Sequence, residues 1–134
     1  MSNRQDIIEF VRDLTGVDEI NLDTDIFKLG VVGDDFHELI SKYAEEYEVD
    51  MSEYLWYFHA DEEGQNFGAL FVKPPYSRVE RIPVTPRLLS DFVKMKKWEI
   101  KYPEHKIPNK RFDIIINIIL VIAFIVLVLT IWIL

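Results

Sequence analysis

The last residues of the chain, Ile114 to Leu134, contain no charged side chain, and this run limits the fold more than any other feature. Only Asn117 and Thr130 are plainly polar within it. An α-helix of this length, at about 1.5 Å per residue, spans roughly 30 Å, the thickness of the hydrocarbon core of a bilayer. A helix in a soluble core has a polar face, which this run lacks. We therefore expect one C-terminal transmembrane helix over residues 112–134.

The flanks of this run predict its orientation. Four basic residues precede it within a short distance: Lys101, Lys106, Lys110 and Arg111. Basic residues beside a membrane span are enriched on the cytoplasmic side, so the N-terminal domain is expected in the cytoplasm. Asn117 lies in the first turns of the span. It is expected to point up to the lipid headgroups or, alternatively, to hydrogen-bond a second helix.

The remaining chain is acidic in a graded way. Residues 1–50 hold 4 basic against 14 acidic side chains, whereas residues 51–100 hold 7 of each. An acidic first half repels phosphates, which excludes nucleic acid as a natural partner. It favours a protein partner with a basic surface, because complementary potentials speed encounter. The alternative is that the charge only keeps the domain soluble.

Three amphipathic patterns predict helices in the soluble part. The first covers residues 4–14 and ends at Gly16, and the second covers residues 33–47 with aspartates at its N-cap. The third begins at Thr85 and Pro86 and ends near Trp98. An aromatic cluster at residues 54–58 is expected either to close the core or to form a sticky surface.

Two short β-leaning runs, Ala69–Val72 and Val79–Val84, are separated by prolines and predict a small hairpin. The amphipathic patterns stop at residue 98. We therefore predict a soluble domain at residues 1–98, a basic, proline-containing linker at 99–111 and the transmembrane helix at 112–134. The fold class expected from these patterns is mainly α.

No local motif supports catalysis. The chain has no cysteine, and its histidines, His37, His59 and His105, do not share a metal-ligand spacing. The isolated glycines form no phosphate-binding loop, and no serine stands in a nucleophile-elbow context. We therefore expect no enzymatic activity, no bound metal and no cofactor.

One stretch resembles the acyl carrier protein family. Asp23–Gly30 reads DTDIFKLG, which is similar to the segment that leads into the second helix of carrier proteins. In carrier proteins a serine that follows an aspartate bears the phosphopantetheine arm. In this register the serine is replaced by Gly33 and its aspartate by Val32, so the resemblance implies a carrier-like helical bundle without the arm.

The pattern Leu-Gly-x-x-Gly-Asp-Asp, followed by Tyr57-Phe58 and Trp98, is similar to a bacterial family of uncharacterised carrier-like proteins. This resemblance implies an acyl-carrier-protein-like small bundle and a bacterial origin. With the apolar span and its basic flank, the expected location is the bacterial inner membrane. In carrier proteins the second helix recognises partners. The corresponding acidic residues here are Asp34, Asp35, Glu38 and Glu45.

Together these features predict a non-enzymatic, membrane-anchored, carrier-like adaptor that binds a basic protein through its acidic second helix. Two other functions remain open at this point. One is a lipid or acyl carrier that works without phosphopantetheine. The other is an immunity or antitoxin-type protein that neutralises a basic toxin.

Overall fold

A computed structural model of the chain describes residues 3–31, 33–62 and 66–134. Its α-helices are α1 (Asn3–Thr15), α2 (Gly33–Tyr47), α3 (Pro86–Met95) and α4 (Phe112–Ile133). Short 3-10 helices lie at Ile26–Leu29, Trp56–Phe58, Phe67–Leu70 and Pro75–Ser77. The predicted mainly helical fold with a long apolar C-terminal helix is confirmed.

Local signals set the ends of α1 and α3. Gly16 follows α1 with φ +72° and donates its N–H to the carbonyl of Arg12 at 2.8 Å, a left-handed stop that suits glycine. The Thr85 hydroxyl accepts the N–H of Leu88 at 3.2 Å and caps α3, as predicted. α3 ends at Met95, before Trp98, because Lys96 adopts a left-handed conformation.

The N-terminus of α2 is capped from a distance. The Asp61 carboxylate accepts the N–H of Gly33 at 3.0 Å, across 28 residues of sequence. Asp34 and Asp35, which were expected to provide the N-cap, lie in the first helical turn instead. There they face the positive end of the helix dipole, which favours negative charge.

The core lies where the apolar faces of α1, α2 and α3 meet. Ile7 and Val11 from α1, Phe36 and Tyr43 from α2, and Leu89 from α3 are almost completely buried. Each such side chain contributes about 1.5–3 kcal/mol relative to exposure, so these faces supply much of the driving force for folding.

The long connection between α1 and α2 is fixed to this core. Ile26 is fully buried, and its N–H donates to the carbonyl of Val84 at 3.0 Å. Beside it, the Arg81 guanidinium binds both carboxylate oxygens of Asp25 at 3.1 and 2.6 Å. The pKa of Asp25 lies below its ordinary value chiefly because of these hydrogen bonds. The connection is therefore a packed segment rather than a loose loop.

The predicted hairpin does not form. Phe67–Leu70 is a 3-10 helix, and residues 80–84 have no regular secondary structure. A backbone hydrogen bond of this segment is made outside the expected hairpin, because the N–H of Ile82 donates to the carbonyl of Phe58 at 2.6 Å. Prolines at 74, 75 and 83 remove donors that a ladder would need. In the described ranges, β pairing is limited to a parallel bridge between Asp50 and Lys97.

A network of aromatic side chains connects Trp98, Tyr102 and His59. The Tyr102 hydroxyl accepts the indole N–H of Trp98 at 2.9 Å and the N–H of Leu55 at 3.3 Å. Since His59 Nδ1 lies 2.9 Å from the carbonyl of Ile82, it carries a proton, and Nε2 accepts the Tyr102 hydroxyl at 2.8 Å. Tyr102 lies beyond residue 98, so packing continues past the predicted end of the domain.

His59 makes this network sensitive to acid. It is fully buried, and burial lowers its pKa from 6.5 to about 4. Between these values the unfolded chain binds more protons than the folded one, so the free energy of unfolding falls as the pH drops from 6.5 to 4. Since one pKa unit corresponds to about 1.4 kcal/mol, we expect a loss of roughly 3 kcal/mol from this group.

The measurement is denaturant unfolding of the full chain in mild detergent at several pH values, followed by tryptophan fluorescence. His59→Gln is expected to flatten the pH dependence of the free energy of unfolding over this window. His37→Gln is the matched control and should leave the slope unchanged. An equally steep slope in both variants would contradict the assignment to His59.

Candidate functional site

The predicted partner-binding residues lie on the solvent side of α2. Asp34, Asp35, Glu38 and Glu45 are all exposed. Glu38 forms an ion pair with Lys42 one turn later, at 3.0 Å. The pair is exposed and contributes little to stability, so it leaves both charges accessible to a partner.

The structure distributes these four residues among different neighbours. Glu45 faces a groove between α1 and α2, whereas Asp35 and Glu38 border an adjoining groove beside Leu29 and Val31. Asp34, in the first turn of α2, lines a third depression together with His37, Trp56 and Glu62. Glu45 is thus the predicted residue that belongs to the groove between α1 and α2.

That groove, which we call the acidic groove, is an open depression of about 730 Å³. Its carboxylates come from both helices: Asp6, Glu9 and Asp13 from α1, and Glu45 and Glu46 from α2. Lys42 is the basic residue among its lining side chains, and Phe10, Leu14 and Tyr47 provide apolar surface. The groove therefore combines negative charge with apolar contact area.

The carboxylates of the groove affect the pKa of Tyr47. Burial is the main cause that raises the pKa of its hydroxyl, and the negative charges of Glu46, Asp6 and Glu9 raise it further. Carboxylates from both helices thus act on one point of the groove. A basic side chain placed there would experience the same potential as attraction.

Sequence reasoning missed the contribution of α1. Asp6, Glu9 and Asp13 are spaced by three and four residues, which places them along one helix face. This spacing was a readable signal. What it did not reveal is that this face lies beside the acidic part of α2.

A second feature, the junction between α4 and the preceding part of the chain, is a polar network. The Asn117 side chain accepts the N–H of Gly68 at 2.6 Å and donates to Asn66 Oδ1 at 2.7 Å. Asn66 also donates to Asp113 at 2.9 Å and caps its own 3-10 helix by accepting the N–H of Ala69 at 3.1 Å. Asn117 thus binds a loop of its own chain, rather than the headgroups or the second helix expected from sequence.

Arg111 completes the junction. Its guanidinium donates to Glu62 at 2.6 Å and to Asp113 at 2.7 Å, and Asp113 is almost fully buried. The hydrogen bond to Asp113 is the main cause that raises the pKa of Arg111, so its charge is permanent. The last residue of the predicted linker is therefore held by the domain on one side and by α4 on the other.

α4 itself is long and apolar enough to cross a membrane, with a mean hydropathy of 3.4 over its most apolar window. None of that window is buried within the protein.

Gly33, the position where carrier proteins bear their serine, is buried and has a φ of +53°. A residue with a Cβ is strained in this left-handed conformation. Its neighbour Val32, which replaces the aspartate of the carrier motif, lies outside the described residues. At no place within residues 3–31, 33–62 and 66–134 do three or more potential metal ligands cluster.

Gly68 provides a test of the junction. A Cβ at this position would meet the backbone carbonyl of Asp113, so the 3-10 helix and α4 would have to separate. We expect Gly68→Ala to expose residues 66–71 to protease in the full chain. Ala69→Ser is the matched control, and an unchanged cleavage pattern for Gly68→Ala would contradict the close packing.

Comparison with known proteins gives a family. Residues 3–101 match the family described as "Protein of unknown function (DUF1493)". No curated protein and no solved structure matches the chain. These findings contain no link to acyl carrier proteins, so that resemblance remains a prediction. Because the match covers more than half of the sequence, the chain belongs to this family of unknown function.

Proposed function

We propose that this protein is a non-enzymatic adaptor, anchored in the bacterial inner membrane by α4, that binds a basic segment of a partner protein in its acidic groove. The soluble domain faces the cytoplasm, on the side of the basic residues that precede α4. The observation that carries the proposal is the convergence of carboxylates from α1 and α2 around an open, partly apolar groove.

The chemistry of the groove suits a cationic, amphipathic ligand. Negative charge steers a basic segment and sets its orientation, while affinity comes from apolar side chains that lose water. Phe10, Leu14 and Tyr47 offer such surface, and Leu14 is 40% exposed. The predicted residues Asp34, Asp35 and Glu38 extend the negative surface along α2 beyond the groove.

The carrier-like resemblance also belongs to this proposal. A second helix that recognises partners agrees with the exposed carboxylates of α2. An immunity protein that neutralises a basic toxin would use the same groove, whereas a lipid carrier has less support. A lipid carrier needs an interior cavity, whereas the core positions are filled by large side chains such as Trp98, Tyr43 and Phe36.

The test is site-specific photo-crosslinking in native membranes, with benzoyl-phenylalanine placed at Leu14 in the full chain. We expect one dominant protein adduct, weakened by salt because the attraction is electrostatic. Combined replacement of Glu9, Glu45 and Glu46 by lysine should remove the adduct, since repulsion replaces attraction.

The matched control replaces Glu19, Glu80 and Glu104 by lysine. These exposed carboxylates lie outside the groove, and the change in net charge is the same. The control should keep the adduct. Equal loss in both triple variants would show a general charge effect, and an adduct that survives the groove variant would refute the proposed site.

A further prediction concerns the missing phosphopantetheine arm. We expect the mass of the full chain to stay unchanged after incubation with coenzyme A and a promiscuous phosphopantetheinyl transferase. Gly33→Ser should also stay unmodified, because the position is buried, and should lower the free energy of unfolding by about 1 kcal/mol through left-handed strain. A mass gain of one phosphopantetheine, lost in Ser52→Ala, would instead make this protein a true carrier.

A further inference from the structure

Three large apolar side chains stand exposed beside the start of α4. Phe67, Leu70 and Phe71 are 58%, 81% and 71% accessible, and we call them the apolar foot. They belong to a single loop around the 3-10 helix Phe67–Leu70. Large side chains so exposed and so close together indicate a contact surface rather than ordinary scatter.

The foot is continuous with the apolar surface of α4. Phe67 shares a cleft with Asn117, Leu120, Val121 and Phe124, a stripe with helical spacing. Leu120 lies about 12 Å along the axis from Phe112, at 1.5 Å per residue. The loop therefore runs beside the part of α4 whose surroundings, if α4 crosses a bilayer, are lipid.

Several backbone N–H groups of the foot are hydrogen-bonded within the protein. In lipid an irregular backbone is tolerated only where its polar groups find partners in the protein. Gly68 donates to Asn117, Ala69 donates to Asn66, and Phe71 and Val72 donate to the carbonyl of Gly68 at 3.0 and 2.9 Å. These bonds satisfy four backbone N–H groups of the loop and so lower the cost of taking it out of water.

Three basic side chains, which we call the rim, lie beside the start of α4. Lys73, Arg78 and Lys110 line one crevice together with Phe112, the first residue of α4. Lys73 and Arg78 are exposed, in a chain whose net charge is -8. Basic side chains near a membrane surface are attracted to anionic lipid headgroups.

We propose that the apolar foot inserts into the same bilayer leaflet that α4 enters, while Lys73, Arg78 and Lys110 bind anionic phospholipid headgroups. The occupant of this surface is thus an anionic bilayer, and the domain contacts it at two points. The inference rests on the membrane anchoring proposed above.

The experiment uses the absence of cysteine from the chain, which allows a single label at a chosen position. Leu70→Cys in the full chain carries a nitrobenzoxadiazole fluorophore and is reconstituted in vesicles of phosphatidylcholine and phosphatidylglycerol. Brominated acyl chains then quench any label that lies in the hydrocarbon. Leu127→Cys within α4 is the reference for a membrane position, and Ser77→Cys is the reference for water.

We expect the label at Leu70 to be quenched several-fold more than the label at Ser77. If the label at Leu70 behaves like that at Ser77 while the label at Leu127 is quenched, the inserted foot is refuted and the anchor stands. If the label at Leu127 is also unquenched, the anchor and the foot both fail.

A second part of the experiment tests the headgroup contact. Quenching at Leu70 should decrease in vesicles of phosphatidylcholine alone, and replacement of Lys73, Arg78 and Lys110 by glutamine should abolish this difference between lipids. Replacement of Lys94, Lys96 and Lys101, which are exposed outside the rim, is the matched control. Equal effects in both triple variants, or no difference between lipids in the parent chain, would refute headgroup binding at the rim.

Discussion

The polar network around Asp113 is the interaction through which the long, mostly apolar helix α4 is joined to the acidic remainder of the chain. Arg111, Asn66 and Asn117 bind one another or Asp113, so the charges at this point are paired and the amides are satisfied. An unpaired carboxylate buried here would cost several kcal/mol. Because Gly68 lies against the backbone of Asp113, the fit is steric as well as electrostatic.

Most of the helical framework was predictable because it depends on local signals. Periodic apolar residues gave α1 and α2, Thr85 and Pro86 gave the start of α3, and the absence of charge gave α4. The failures occurred where the partner is distant in sequence. Asp61 caps α2 across 28 residues, and a loop that reads as a β-strand becomes a 3-10 helix because Asn66 and Asn117 bind it.

The candidate site was predictable in part for the same reason. Exposure of the α2 carboxylates follows from helical periodicity, since the opposite face carries Phe36 and Tyr43. The position of Glu45 beside the carboxylates of α1 depends on how the two helices pack. The periodicity of each helix does not predict that packing. Tyr102 was missed because its surroundings, with Pro103 and several charges, read as a linker, although its hydroxyl serves Trp98 and His59.

The packed junction also determines how the domain can move. On a flexible tether a domain tumbles in three dimensions and samples many heights above its anchor. If α4 crosses a bilayer, as proposed, a domain joined to it by Arg111, Asn117 and Gly68 keeps a fixed height and tilt, and retains lateral diffusion and rotation about the membrane normal. A partner in the same membrane would then meet it in a two-dimensional search, at an effective concentration set by the area of the membrane and not by the volume of the cell.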